Sequence, residues 1–106
     1  MTGKDIFTGK ISEKISANTD KAKSINAIYE FVISGDQDET WTIDLTKPSD
    51  FVYEGTSGKA NCTVTIKTSD LADIVDKKLN PQMAFMTGKL KVKGDMGLAL
   101  KLGTIL

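Results

Sequence analysis

The chain has 106 residues, 14 basic and 14 acidic, a formal net charge of zero, no histidine and one cysteine, Cys62. Charge neutrality removes the general electrostatic case for nucleic acid. The missing histidine removes the commonest base near neutral pH and the commonest metal ligand, and a lone cysteine can form neither an internal disulfide nor a multi-cysteine zinc site.

From the N-terminus, residues 4–18 read as helix: Phe7, Ile11 and Ile15 recur every four residues beside Ile6, with Lys10, Glu13 and Lys14 elsewhere. Thr2 can cap its start, with Asp5 in the reciprocal position of a capping box. Residues 18–24 read as a polar connection. Residues 25–34 fit a helical stripe through Ile25, Ile28, Tyr29 and Val32, and also a strand alternation through Ile25, Ala27, Tyr29, Phe31 and Ile33. Their β-branched and aromatic content and the turn signal at residues 35–39 select strand.

The next strand places Trp41, Ile43 and Leu45 on one face and Thr40, Thr42, Asp44 and Thr46 on the other. Residues 47–50 turn the chain, Phe51-Val52-Tyr53 form a short strand, and residues 54–58 turn it again. Ala60, Cys62, Val64 and Ile66 then alternate with Asn61, Thr63, Thr65 and Lys67. A helix follows, capped by Thr68 or Ser69, with Leu71, Ile74, Val75 and Leu79 as its stripe and Asn80-Pro81 as its end. Asn80 can cap the next helix, whose first turn holds Pro81 and whose stop is Gly88. Residues 89–93 are a strand with Leu90 and Val92 inward and three lysines outward. Gly94 breaks it and Asp95 caps a terminal helix in which, from Met96 onward, only Lys101 and Thr104 carry polar side chains.

Strands with one apolar and one polar face, interleaved with helices, predict an α+β fold: a five-stranded, mostly antiparallel sheet covered on one face by helices. No leader and no run of ~20 apolar residues is visible, so one soluble, reduced, intracellular domain over residues 1–106 is expected. The apolar terminal helix needs a greasy surface, which a core, a membrane, a partner or a lipid ligand can supply. Met83, Met86 and Met96 conform to ligands of variable shape, and equally to irregular gaps in a core.

Particular motifs resemble the sterol carrier protein 2 family. They are Thr40-Trp41-Thr-Ile-Asp44, Lys59-Ala60-Asn-Cys62-Thr-Val-Thr-Ile66, Asn80-Pro81-Gln82, Ala84-Phe85-Met86, Gly88-Lys89-Leu90-Lys91-Val92 and Gly94-Asp95-Met96-Gly97-Leu98-Ala99. The resemblance implies an apolar tunnel between sheet and helices and the non-enzymatic binding and transfer of fatty acids, fatty acyl-CoA, sterols and phospholipids. On that reading Met83, Phe85, Met86, Leu90, Met96, Leu98, Leu100 and Leu102 line or close the tunnel, and Gln82 orients a head group. No catalytic residue, cofactor or metal is expected, and a monomer with transient membrane-surface contact is. Peroxisomal members usually end in a small-basic-leucine import tripeptide, whereas this sequence ends Thr104-Ile105-Leu106. The location implied is cytoplasmic or peroxisomal, and the alternative role is an accessory domain of a larger peroxisomal enzyme, docking through the terminal helix.

Other features have plainer explanations. Lys89, Lys91 and Lys93, with Lys101 near in sequence, can meet acidic head groups or CoA phosphates, or can simply solvate a strand and discourage edge pairing. Cys62 falls on an inward set, as a buried inert thiol would. Asp36, Asp38 and Glu39 lack the ligand spacing of a calcium loop, and Gly94-Asp-Met-Gly97 lacks the third glycine of a dinucleotide fingerprint.

Overall fold

A computed structural model describes residues 3–35, 38–47 and 51–106. The expected Thr2 cap, Asp36 and Gln37 of the first turn, and Pro48, Ser49 and Asp50 of the second lie outside the described residues. Five strands form one sheet: β1 (Ile28–Ser34), β2 (Glu39–Asp44), β3 (Val52–Glu54), β4 (Cys62–Lys67) and β5 (Leu90–Gly94), in the spatial order β3-β2-β1-β4-β5. Three pairings are antiparallel, and the central one, β1 with β4, is parallel.

The inner face follows from period-two alternation. Tyr29, Phe31 and Ile33 of β1 are fully buried and sit in register with Cys62, Val64 and Ile66 of β4. Phe31 also faces Trp41 on β2, and Val64 faces Val92 on β5, so one apolar row crosses four strands. The strand reading of residues 25–34 therefore holds from Ile28 onward, while Ile25 ends a helix.

The parallel pair requires the chain to cross from one edge of the sheet to the far side of β1. Residues 55–61 make that crossing over the outer face without a helix. Three strand spacings amount to about 14 Å, within reach of seven extended residues. The Thr56 hydroxyl donates to the Glu30 carboxylate, the Thr42 hydroxyl donates to the Gly55 carbonyl at 2.7 Å, and the Asn61 N–H donates to the Ile28 carbonyl at 2.9 Å. The crossing strap explains why Thr42, on the outer side of β2, is fully buried.

Helices cover the inner face. The first, α1, spans residues 3–17 as a turn of α-helix (Gly3–Asp5), a π-helical stretch (Ile6–Ile11) and a further α segment (Ser12–Ala17). Its wider winding brings Ile6, Phe7 and Ile11 together onto the buried side. Phe7 stacks on Trp41 at 5.2 Å between centroids and meets Phe31 edge-on at 5.4 Å. Gly3 is packed so closely that a Cβ there would lie 2.4 Å from Ile33 Cδ1.

The other helices are α2 (Thr19–Ile25), α3 (Thr68–Val75), α4 (Pro81–Met86), α5 (Met96–Ala99) and α6 (Leu102–Ile105). The presence of α2 corrects the polar connection expected over residues 18–24. It buries Ala22 alone completely, too little apolar surface to leave a stripe in the sequence. Neither Thr68 nor Ser69 caps α3; the Thr68 hydroxyl turns back to donate to the Ser34 carbonyl at 3.2 Å. Asn80 and Asp95 do cap: Asn80 Oδ1 accepts from the Gln82 N–H, and Asp95 Oδ1 from the Gly97 N–H, both at 2.8 Å. The expected single terminal helix is two short ones, broken at Leu100–Lys101.

Phe7 joins α1 to the middle of the sheet, so Phe7→Ala should destabilise the fold by about 3–5 kcal/mol through cavity formation. Denaturant unfolding followed by Trp41 fluorescence measures this, and a loss below about 1 kcal/mol would mean that the aromatic stack does not hold α1 down.

Candidate functional site

Between α4, the start of β5 and the α5–α6 segment lies a cavity of about 460 Å³. Of the nine residues expected to form a site, six line it: Gln82 and Phe85 from α4, Leu90 from β5, and Met96, Leu100 and Leu102 from the terminal segment. Leu90 and Leu102 are almost fully buried and form its floor. Phe85, Met96 and Leu100 remain 42, 48 and 74% exposed, so the cavity is a groove open to solvent. A dry void of this size would cost about 11 kcal/mol, comparable to the whole stability of a small domain. Opening to water avoids that cost.

The other three expected residues lie elsewhere. Leu98 is buried in the main core and does not line the groove. Met83 and Met86 project from α4 to solvent, 53 and 78% exposed. A six-residue helix that anchors itself through Ala84 cannot turn all three of its large apolar side chains toward one groove. Asn80, Pro81, Gly97, Ala99 and Gly103 also line the groove. Asn80, Pro81, Gly97 and Ala99 fall within motifs already singled out in the sequence, while Gly103 had no signal beyond being a small residue in an apolar stretch; the small residues contribute by leaving space.

Polar chemistry beside the groove is sparse. Its lining offers the side-chain amides of Asn80 and Gln82 and no titratable side chain. Asn80 Oδ1 is already engaged as the helix cap, whereas the Gln82 side chain is exposed. Beneath α5, the Tyr29 hydroxyl donates to the Leu98 carbonyl at 2.6 Å, tying the groove wall to the central strand. Burial, reinforced by the neighbouring Cys62 and Asp95, pushes the Tyr29 phenol above its ordinary range. Burial and then Asp95 also raise the Cys62 thiol, so its nucleophilic thiolate is disfavoured.

The lysines read from β5 are not brought to the groove. Lys89 and Lys91 are exposed and border a separate depression of about 290 Å³ that also contains Asp70 and shares no residue with the groove. Lys93 and Lys101 are exposed and line neither cavity. Among the described residues no group of three or more Cys, Asp or Glu is placed to hold a metal ion, and no helix is long and apolar enough to cross a membrane.

The phenol of Tyr29 titrates higher when folded than when unfolded, near 10. Above that pH the unfolded chain has lost a proton that the folded chain keeps, so stability falls as pH rises. Tyr29→Phe should flatten this alkaline loss; Cys62 contributes the same sign in both proteins. At neutral pH the variant should lose about 1–3 kcal/mol, because the Leu98 carbonyl is left without its donor. Urea midpoints from pH 8 to 11 test both, and parallel pH curves would exclude a Tyr29 contribution.

Residues 9–106 match the model of the SCP-2 sterol transfer family. The chain is 45% identical over 92 residues to hydroxysteroid dehydrogenase-like protein 2 of Xenopus laevis, a match covering 86% of this chain and 22% of that relative. The fold superposes on the solution structure of sterol carrier protein domain 2 of Helicoverpa armigera with a TM-score of 0.77 at 31% identity, covering 96% of this chain and 87% of that one. Against the solution structure of palmitated SCP2L2 from Aedes aegypti, the TM-score is 0.72 at 25% identity, with 97% and 92% covered.

Proposed function

This chain belongs to the SCP-2 sterol transfer family, and on that premise we propose that it binds a lipid in the groove between α4 and the α5–α6 segment and carries it between membranes. The observation that carries this reading is the groove itself: apolar walls, two amides and a volume within the ~300–1,000 Å³ range of small-molecule sites. Burial of methylenes contributes about 0.8 kcal/mol each, so a long acyl chain outweighs any one polar contact before the cost of association is subtracted. Fatty acids, fatty acyl-CoA, sterols and phospholipids are the ligand classes proposed, and the palmitated Aedes aegypti neighbour supports the first. A lining without titratable groups supports transport without chemical change. We place this role inside the cell, in cytoplasm or peroxisome, with residues 1–106 acting as one monomeric module.

Closure narrows to part of the terminal segment. Leu102, Ile105 and Leu106 are core, with at most 4% exposure, whereas Met96 and Leu100 stand at the groove's rim. The proposed lid is therefore the side chains of Met96 and Leu100, swinging over a bound chain to give an enclosed tunnel while Leu98, tied to Tyr29, and α6 stay seated. A second reading is favoured by the 22% of the Xenopus laevis relative that this chain spans. In it, the module presents lipid to, or docks on, the rest of a larger enzyme.

Leu100→Gln should leave folding intact while weakening fatty-acid binding by about tenfold to a hundredfold, chiefly through faster release, because one leucine buried against ligand is worth about 1.5–3 kcal/mol. Leu102→Gln should instead lower stability by some 2–5 kcal/mol. Stopped-flow release of a fluorescent fatty acid, alongside denaturant unfolding, separates the two. Unchanged release from Leu100→Gln would remove the Met96 and Leu100 rim as a lid.

Delipidated protein should also melt higher with ligand, by RT ln(1 + [L]/Kd) or about 2.7 kcal/mol at a hundredfold excess over Kd. No shift in a thermal scan under those conditions would rule out binding within the fold.

A further inference from the structure

On the other side of α6 lies a second cavity, of about 520 Å³, which shares Asn80, Pro81 and Gly103 with the apolar groove. Its character is different: it is bordered by Lys14 of α1 and by Lys77 and Lys78, just after α3. Among the described residues no carboxylate, including that of Leu106, lies within 4.0 Å of these three ammonium groups; the ion pair nearby is Lys10 with Asp76. Lys14 Nζ donates to the Gly103 carbonyl at 2.9 Å, which leaves two of its three N–H donors for another partner. Burial first, and then the positive charge of Lys77, holds Lys14 below the ordinary lysine range, so the two cations are close enough to repel.

The backbone at Lys77 is a second, independent observation. The Lys78 N–H donates to the Asp73 carbonyl at 2.8 Å and the Lys77 N–H to the Ile74 carbonyl at 3.0 Å, the paired bonds of a Schellman helix end. Lys77 occupies its left-handed position, with φ +63°, where glycine is favoured. A lysine is held in a strained conformation beside another lysine, at the edge of a cavity. Strain of this kind collects at ligand clamps.

Gly103 separates the two cavities, and a Cβ there would meet nothing within 4 Å. The two cavities thus adjoin where a small residue leaves open space. We propose that the Lys14–Lys77–Lys78 cavity receives the oxyanion head of an acyl ligand whose hydrocarbon chain lies in the apolar groove. This rests on the lipid-binding reading and adds to it the class of head group, a fatty-acid carboxylate or an acyl-CoA phosphate. An anion there relieves the repulsion between Lys14 and Lys77 and gains charge-assisted hydrogen bonds.

The test compares delipidated wild type with the double variant Lys77→Gln, Lys78→Gln, which keeps the Lys14 bond to Gly103, using palmitate, palmitoyl-CoA and 1-hexadecanol in displacement titrations. The double variant should bind an anionic ligand about tenfold or more weakly, as expected for lost charge-assisted bonds, and hexadecanol unchanged. Selective loss of palmitate identifies the carboxylate as the head group, and selective loss of palmitoyl-CoA identifies the phosphates. Lys77→Gly adds a readout that a structural role would not give: its melting temperature should hold or rise while anion affinity falls. Equal effects on hexadecanol and the anions, or unchanged anion binding, would overturn the proposal with lipid binding intact. A wild type that binds none of the three would overturn the lipid reading and this proposal together.

Discussion

Strand β1 lies at the middle of the sheet, and the direction its side chains face governs everything built on that sheet. Tyr29, Phe31 and Ile33 point inward; a slip of one residue would replace them with Glu30 and Val32. Phe31 sits between Trp41 and Val64, and Phe7 closes on Phe31 and Trp41 from α1. Tyr29 carries the same constraint outward to the site, because its hydroxyl fixes the Leu98 carbonyl. At the same level of the sheet, Gly94 passes so near Asn61 that a Cβ would lie 2.5 Å from the Asn61 carbonyl oxygen. The terminal segment thus leaves β5 from a point set by backbone contact and is held by a hydrogen bond from the central strand.

The groove is what these anchors leave unfilled. Ala84 seats α4 against the core, Leu98 seats α5, and Leu102 seats α6, while Gly97, Ala99 and Gly103 contribute little volume between them. The exposed large hydrophobic residues among the described ones are Met83, Phe85, Met86, Met96 and Leu100, all on α4 or the terminal segment. Clustered exposure of this kind marks an interaction surface, whereas scattered apolar residues do not. Methionine suits such a wall, since its flexible thioether adapts to occupants of different shape.

Helix α6 divides two environments. One side meets a cavity without titratable walls and the other a cavity with three lysines. Lys14 holds the divider through the Gly103 carbonyl, so the ammonium that shapes the positive side also helps to position the apolar one. Chain topology explains the arrangement: α6 packs against both α1 and α2, which brings a residue from the first helix beside one from the last.

Much of the fold was legible in the sequence because alternation and capping are local. The inward sets of β1, β2 and β4, the Asn80 and Asp95 caps and the stop at Gly88 all follow from residues within a few positions of each other. The α2 helix was illegible, because it buries one alanine completely and so leaves no apolar stripe in the sequence. The break at Leu100–Lys101 was illegible too, because an almost wholly apolar segment carries no periodic signal to mark where its buried face changes.

The site divides the same way. Sequence pattern alone determined that the terminal 27 residues carry an almost wholly apolar closing segment, and the family resemblance directed attention to Gln82, Phe85, Leu90, Met96, Leu100 and Leu102, which the fold brings around one groove. Only tertiary structure decided that Leu98 serves the core, that Met83 and Met86 face solvent, and that Lys14 and Lys77, 63 positions apart, border one cavity. Whether an apolar side chain touches neighbours, solvent or a cavity depends on the volume left by residues distant in sequence. Periodicity can rank the faces of an element, but it carries no information about the space between elements.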